Sequence, residues 1–215
     1  MATKNPPVFD DDFRAQLGEL FRWRRDVRRF RATPVSTAQR EALFDVAALA
    51  PSVGLSQPWR FVTVDDPDRR AAVRANFERC NAEALAAQDP VLSANYAKLK
   101  LAGLDEAPCH FALFCDPAPG QGHGLGRRTM PETTTYSAVM ALHSLWLACQ
   151  AEGLGLGWIS ILNVSGIYSA LDIPSDWTFI GYFCLGYPQA QCDIPELERL
   201  GWEQRRPAKI NILRR

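Results

Sequence analysis

The run Arg24-Arg25-Asp26-Val27-Arg28-Arg29-Phe30 sets one carboxylate among closely spaced guanidiniums. Each guanidinium is a planar fork of donors suited to phosphate or carbonyl oxygens. The surrounding positive charge favours the ionised form of Asp26. The same run also describes a solvated basic helix end, since arginines are stabilised at the negative end of the helix dipole. A second candidate is Ala50-Pro51-Ser52-Val53-Gly54-Leu55-Ser56-Gln57-Pro58-Trp59-Arg60-Phe61. There Pro51, Ser52, Ser56 and Gln57 offer exposed backbone, two hydroxyls and an amide, which suit a polyol chain. The alternative is an ordinary helix-to-strand turn rich in turn formers. A third is Gly153-Leu-Gly155-Leu-Gly157-Trp158-Ile159-Ser160. Its glycines follow a helix and precede a strand, the reverse of a dinucleotide fingerprint, so that reading is rejected. They are expected instead to let backbone approach a flat ring closely, with Trp158, Ile159 and Ser160 beside it. A further basic cluster, Arg205, Arg206, Lys209, Arg214 and Arg215, offers a second source of phosphate contacts.

These residues need elements to hold them. Helical spacing of Phe13, Leu17, Leu20 and Phe21 predicts a helix over 13–25, ending at the arginines. Ser36 with Gln39 forms a capping box that opens a helix through Ala50. Arg60–Val64 reads as a strand. Helices are expected over 69–87 and 91–103, and a buried strand over the apolar run Cys109–Cys115. A glycine- and proline-rich loop spans 116–128. Thr135–Glu152 is apolar over much of its circumference, as expected of a central or interfacial helix, and Gly153 is its stop signal. Strands over 158–162 and 179–185, with a short helix near 167–171, complete an α+β pattern of helices covering a sheet. The end, Lys209–Leu213, could add a strand.

The chain has 215 residues, with Lys and Arg together equal in number to Asp and Glu, 24 each. That balance argues against whole-surface attraction to nucleic acid or anionic membrane. Neither a membrane span nor a signal peptide is expected. Cys80, Cys109, Cys115, Cys149, Cys184 and Cys192 are dispersed without a C-x-x-C pair, which fits free thiols in a reducing cytoplasm and gives zinc no ligand spacing. His110, His123 and His143 read as core or surface residues. No repeat or linker divides the chain, so one domain over 1–215 is expected.

Taken in order, the three constellations resemble the FMN-binding nitroreductase family, whose pattern is an arginine-rich R-x-[ST]-x-R segment, then P-S-x-x-x-Q-P-W-x-F, then a long helix ending in G-L-G. The resemblance runs from about Phe21 to the basic C-terminus. Arg25-Asp26-Val27-Arg28, Ser52–Trp59, Lys98–Leu104 and Gly157–Ile161 are similar to the subgroup that fragments reduced FMN with oxygen. The resemblance implies a three-layer sandwich with a mostly antiparallel sheet and a homodimer exchanging C-terminal extensions, both subunits lining each site. It implies FMN contacts by Arg24, Arg25, Asp26, Val27, Arg28, Pro51, Ser52, Ser56, Gln57, Trp158, Ile159, Ser160 and Arg205, with Asp26 and Ser160 catalytic. The expected products are 5,6-dimethylbenzimidazole and erythrose 4-phosphate; a flavin reductase supplies reduced FMN, and NAD(P)H as a reductant on the enzyme stays open. Asp26 stands where the general pattern has a small hydroxyl, a choice suited to moving protons. The alternatives are an NAD(P)H oxidoreductase that retains its flavin, and a flavin carrier without catalysis. The helical insert 66–103 is expected as a lid or as a plain helical hairpin.

Overall fold

The computed structural model describes residues 5–207, 212 and 213. Helix α1 (Asp11–Trp23) opens on Asp10, whose carboxylate accepts from the Phe13 amide, and carries Asp11 and Asp12 at its positive end. Helix α2 (Thr37–Ala48) starts at the capping box between Ser36 and Gln39. Strand β1 (Trp59–Thr63) is followed by α3 (Pro67–Ala86) and α4 (Pro90–Tyr96), then β2 (Cys109–Cys115), α5 (Thr133–Ala151), β3 (Gly155–Ile159), α6 (Val164–Leu171) and β4 (Thr178–Gly186). A last helical turn, α7, covers Glu196–Arg199.

The four strands pair antiparallel in the order β1-β2-β4-β3. Every residue of β2 is buried, as its unbroken apolar run requires of a strand covered on both faces. Period-two alternation divides its side chains between two cores. Phe111 and Leu113 join Leu43 of α2, Leu142 and Leu145 of α5 and Phe183. Ala112 and Phe114 face Val73 of α3, Ile167 of α6 and Tyr182. The result is the expected three-layer arrangement. Fully burying side chains of this size stabilises by roughly 1.5–3 kcal/mol each. Gly153 (φ +70°) ends α5 as expected, and the Leu154 amide returns to the Cys149 carbonyl at 2.7 Å.

Two expected elements move. The helix expected over 91–103 stops at Tyr96, and the chain goes on without helical geometry to Gly103, where a Cβ would stand 2.7 Å from the Phe30 ring Cδ2. The strand expected over 158–162 occupies Gly155–Ile159 instead, so the glycines are within the ladder and Ser160 is just past it. The strand expected over 209–213 falls largely on residues outside those described. No helix of the described residues is long and apolar enough to cross a membrane.

Candidate active site

After α1 the chain runs extended beside β3. Asp26 makes a parallel bridge with Leu156, and the Val27 amide donates to the Leu156 carbonyl at 3.0 Å. From the other side, the Trp146 indole N–H of α5 donates to the Arg25 carbonyl at 3.0 Å. This close approach is what the glycines permit. A Cβ at Gly155 would stand 2.5 Å from Val27 Cγ2, and one at Gly157 would overlap the Val27 carbonyl oxygen. The expectation that these glycines make room for a flat ring is therefore corrected: they make room for the segment that carries Asp26.

The carboxylate of Asp26 is held at both oxygens. Oδ1 accepts from the Trp158 backbone N–H at 2.8 Å. Oδ2 accepts from Arg28 Nε and Nη2, each at 2.9 Å. Burial nevertheless raises the Asp26 pKa above the ordinary carboxylate value, against the opposing pull of Arg28, the Trp158 amide and Arg24. The side chain keeps 31% of its surface, facing a hollow. Two adjoining cavities of about 160 and 220 Å³ share Arg25, Asp26, Arg28 and Glu196 in their walls.

Three guanidiniums near these cavities are short of counter-charge. Arg24 lies over the Trp146 ring, 5.0 Å from its centroid. Arg25 Nε donates to the Cys192 carbonyl at 2.9 Å, while its Nη2 is buried without a partner among the described residues. Burial lowers the pKa of both, and the nearby charge of Arg205 lowers it further; Asp26 opposes this at Arg24, and Cys192 and Asp193 oppose it at Arg25. An anion placed among them would relieve that repulsion and take up the spare donor, which is the requirement of a phosphate group. Arg28 is different, because its charge is already paired with Asp26.

The second constellation lies elsewhere. Residues 50–57 lead into β1 at one edge of the sheet, and Asp26 adjoins β3 at the other. The loop is tightly wound: Gly54, Leu55 and Gln57 all have positive φ. Ser52 Oγ accepts from the Gln57 amide at 3.1 Å, and Ser137 Oγ of α5 from the Val53 amide at 3.0 Å. Ser56 Oγ is buried with no partner among the described residues, a hydroxyl left available to a ligand. Pro51 is exposed.

Around β3, Trp158 turns its indole inward over Gly181 and against Trp146 and Phe183, so its ring is packing and its backbone N–H is the functional group. Ile159 is 2% exposed in the opposite core. Ser160 is exposed, and no hydrogen bond joins it to Asp26 among the described residues. Arg205 is exposed beside Arg24 and Arg25; Lys209, Arg214 and Arg215 lie outside the described residues. Trp146 and the Lys100 carbonyl, which accepts from Arg28 Nη1 at 3.2 Å, were missed by sequence reasoning. Lys98–Leu104 was singled out as a motif, but these contacts run through backbone carbonyls, which leave no residue-type signal. Among the described residues no group of three His, Cys, Asp or Glu side chains could hold a metal ion.

Comparison with known proteins agrees with this fold. The nitroreductase family model matches residues 21–187. The chain is 55% identical over 204 residues to a 5,6-dimethylbenzimidazole synthase of Rhodospirillum rubrum, covering 95% of this chain and 97% of the relative. It is 44% identical over 201 residues to a protein of the same name from Rhodobacter capsulatus, covering 94% and 97%. Among solved structures, an iodotyrosine deiodinase bound to FMN and 3-iodo-L-tyrosine superposes with a TM-score of 0.69 at 23% identity, over 82% of this chain and 91% of that one. A nitroreductase in complex with FMN from Desulfovibrio desulfuricans gives 0.64 at 21% identity, over 99% and 98%. These two establish the fold.

Proposed function

The chain belongs to the nitroreductase family, and from that premise we propose that it carries out the 5,6-dimethylbenzimidazole synthase reaction named by its relatives. In this reading reduced FMN is the substrate and O2 the co-substrate, and the products include 5,6-dimethylbenzimidazole and erythrose 4-phosphate, the remaining pyrimidine-side carbons and nitrogens of the ring leaving as a separate oxidised fragment. Identity of 55% across nearly the whole length of both chains supports it. The observation that carries it is the fixed carboxylate of Asp26, buried enough for its pKa to rise yet open to a cavity. A proton acceptor whose pKa is moved towards the working pH suits general-base chemistry.

The donor set fits FMN: cations short of an anion beside one cavity, and an unsatisfied buried hydroxyl in the loop read as polyol-binding. Reduced FMN supplies the electrons that oxygen accepts, a step needing no metal. Arg24, Arg25 and Arg205 hold the phosphate, and Ser52 and Ser56 face the ribityl chain. The Asp26 carboxylate accepts a proton at the junction of ring and ribityl, and the Ser160 hydroxyl orients the ring by a hydrogen bond. The segment 66–103 acts as a lid that excludes water. Because 50–57 and Asp26 lie at opposite sheet edges, a complete site is assembled in a homodimer from one half of each subunit. A flavin reductase delivers reduced FMN in the cytoplasm.

The test is an aerobic incubation of parent, Asp26→Asn and Ser160→Ala proteins with reduced FMN, followed by mass analysis of the products. Parent protein is expected to form dimethylbenzimidazole, with the rate lowered roughly 10²–10⁴-fold in Asp26→Asn. Parental rates in Asp26→Asn remove the base from this mechanism. Catalytic oxidation of NAD(P)H with the flavin intact would instead mark a flavin-retaining oxidoreductase.

A further inference from the structure

The arginine in contact with Asp26 does not have the surroundings of a phosphate ligand. Arg28 is 13% exposed, and both edges of its guanidinium are occupied. One edge, Nε with Nη2, grips Asp26 Oδ2 at 2.9 Å, while Nη1 on the other side donates to the Lys100 carbonyl at 3.2 Å. Lys100 belongs to the stretch after α4 that leaves helical geometry. That stretch is anchored by the Lys100–Glu106 ion pair, by the approach of Gly103 to Phe30, and by buried Leu104. A phosphate at Arg28 would have to displace a carboxylate and a carbonyl, whereas Arg25 next door has a donor to spare.

We propose that Arg28 is a positioning residue that couples docking of the 97–103 segment to the catalytic carboxylate of Asp26. The inference rests on the role for Asp26 proposed above. When the segment is seated, the Lys100 carbonyl fixes one edge of the guanidinium and thereby fixes Oδ2 at the other. When the segment lifts, Arg28 loses that edge and Asp26 is free to turn. The lid thus primes the base as well as excluding water. A lysine cannot reproduce this, because it offers a point charge where a rigid two-edged fork is needed. The other charged or titratable groups around Asp26 are Arg24, Arg25 and Arg29 on its own segment, Cys184 of β4, and Cys192, Glu196, Arg199 and Arg205 from the C-terminal region, where Glu196 is paired with Arg29. Trp158 of β3 contributes its backbone N–H.

Three variants test the coupling: Arg28→Met, Arg28→Lys, and Gly103→Val, which drives a side chain into Phe30 without touching Asp26. Two readouts apply to each: kcat and KM for reduced FMN across pH, and a ¹³C NMR titration of the aspartate carboxyls assigned with Asp26→Asn. Circular dichroism confirms folding. In Arg28→Met the expected loss is about 100-fold in kcat with KM within roughly threefold of the parent. Loss of the cation should move the Asp26 titration up by about one to three pH units. Arg28→Lys should keep most of the titration position yet lose kcat, and Gly103→Val should shift the titration upward with Arg28 intact. A large rise in KM at parental kcat in Arg28→Met would make Arg28 a phosphate ligand and overturn the proposal. So would a parental Asp26 titration in Gly103→Val. The NMR readout needs no turnover, so an inactive parent sinks the function reading while the coupling is still decided.

Discussion

Gly157→Ala is the sharpest probe of how β3 places the candidate base. The added Cβ would overlap the Val27 carbonyl oxygen, a backbone atom with no rotamer through which to escape. Real Cβ atoms essentially never come closer than 3.0 Å to such an atom, so the Asp26–Val27 segment must retreat from β3 by about 1 Å. That retreat pulls on the Val27-to-Leu156 bond at 3.0 Å and on the Trp158-to-Asp26 bond at 2.8 Å. A misplacement of about 1 Å costs a reaction on the order of 100-fold, and overpacking of a close site destabilises by about 1–3 kcal/mol. Gly155→Ala is the internal contrast, because there the nearest atom is a side-chain methyl, Val27 Cγ2 at 2.5 Å. Adding Val27→Ala removes that methyl and leaves a 2.9 Å contact with Cβ, so the double variant should regain much of what Gly155→Ala loses. The same second change should do nothing for Gly157→Ala. Gly18→Ala on α1, with nothing within 4 Å of its new Cβ, controls for the substitution itself. Initial rates of dimethylbenzimidazole formation and urea unfolding of all five proteins decide the matter. Parental turnover in Gly157→Ala would refute the claim that backbone contact at β3 sets the position of Asp26.

Asn76 of α3 binds Asn163 at two points, its Nδ2 donating to the carbonyl and its Oδ1 accepting from the amide, both at 2.8 Å. Asn76→Ala should cost about 1–3 kcal/mol for each group left unpaired, read by urea unfolding, and should lower turnover by loosening the loop that follows Ser160. His110, buried against the Tyr182 hydroxyl at 2.9 Å, has its pKa pushed down to about 4, chiefly by burial and then by Arg70. Its stabilising contribution is complete above the unfolded value near 6.5 and is lost as pH falls towards 4, in total about 3 kcal/mol; His110→Asn should flatten that acid limb of the stability profile.

What could be read from the chain alone divides by the range of the interaction responsible. The capping box at Ser36, the stop at Gly153 and the buried strand over Cys109–Cys115 were all legible, because each depends on residues adjacent in sequence. The course of the chain after α4 was not, because Gly103 there packs on Phe30, some seventy residues earlier. The start of β3 was misplaced for a similar reason. Gly155 and Gly157 look like loop residues by propensity, yet they pair with Gly186 and Cys184 and are small because Val27 crosses them. Asp26 was singled out by its chemistry among arginines. The pairing of Arg28 with Asp26 was not legible, since residue type cannot reveal that a carboxylate two positions away has taken its charge.

The homodimer proposed above follows from the arrangement of the sheet if the loop 50–57 and Asp26 serve one site. With the loop 50–57 entering β1 at one edge and the Asp26 segment bridging β3 at the other, four strand spacings, roughly 19 Å across the sheet, separate the loop from Asp26. Helix α5 runs beneath both, binding Val53 through Ser137 and the Arg25 carbonyl through Trp146, and so holds them apart. Closing that distance within one chain would mean breaking the central core. A two-fold partner achieves it without deformation, because an isologous contact brings each half beside the complementary half and forms two equivalent sites. The outer surface of α5 suits that role: Tyr136 and Met140 are exposed there, and α1 beside it leaves Phe13, Leu17 and Phe21 uncovered. Large apolar side chains left on adjacent helices are the kind of surface that the proposed subunit contact would bury.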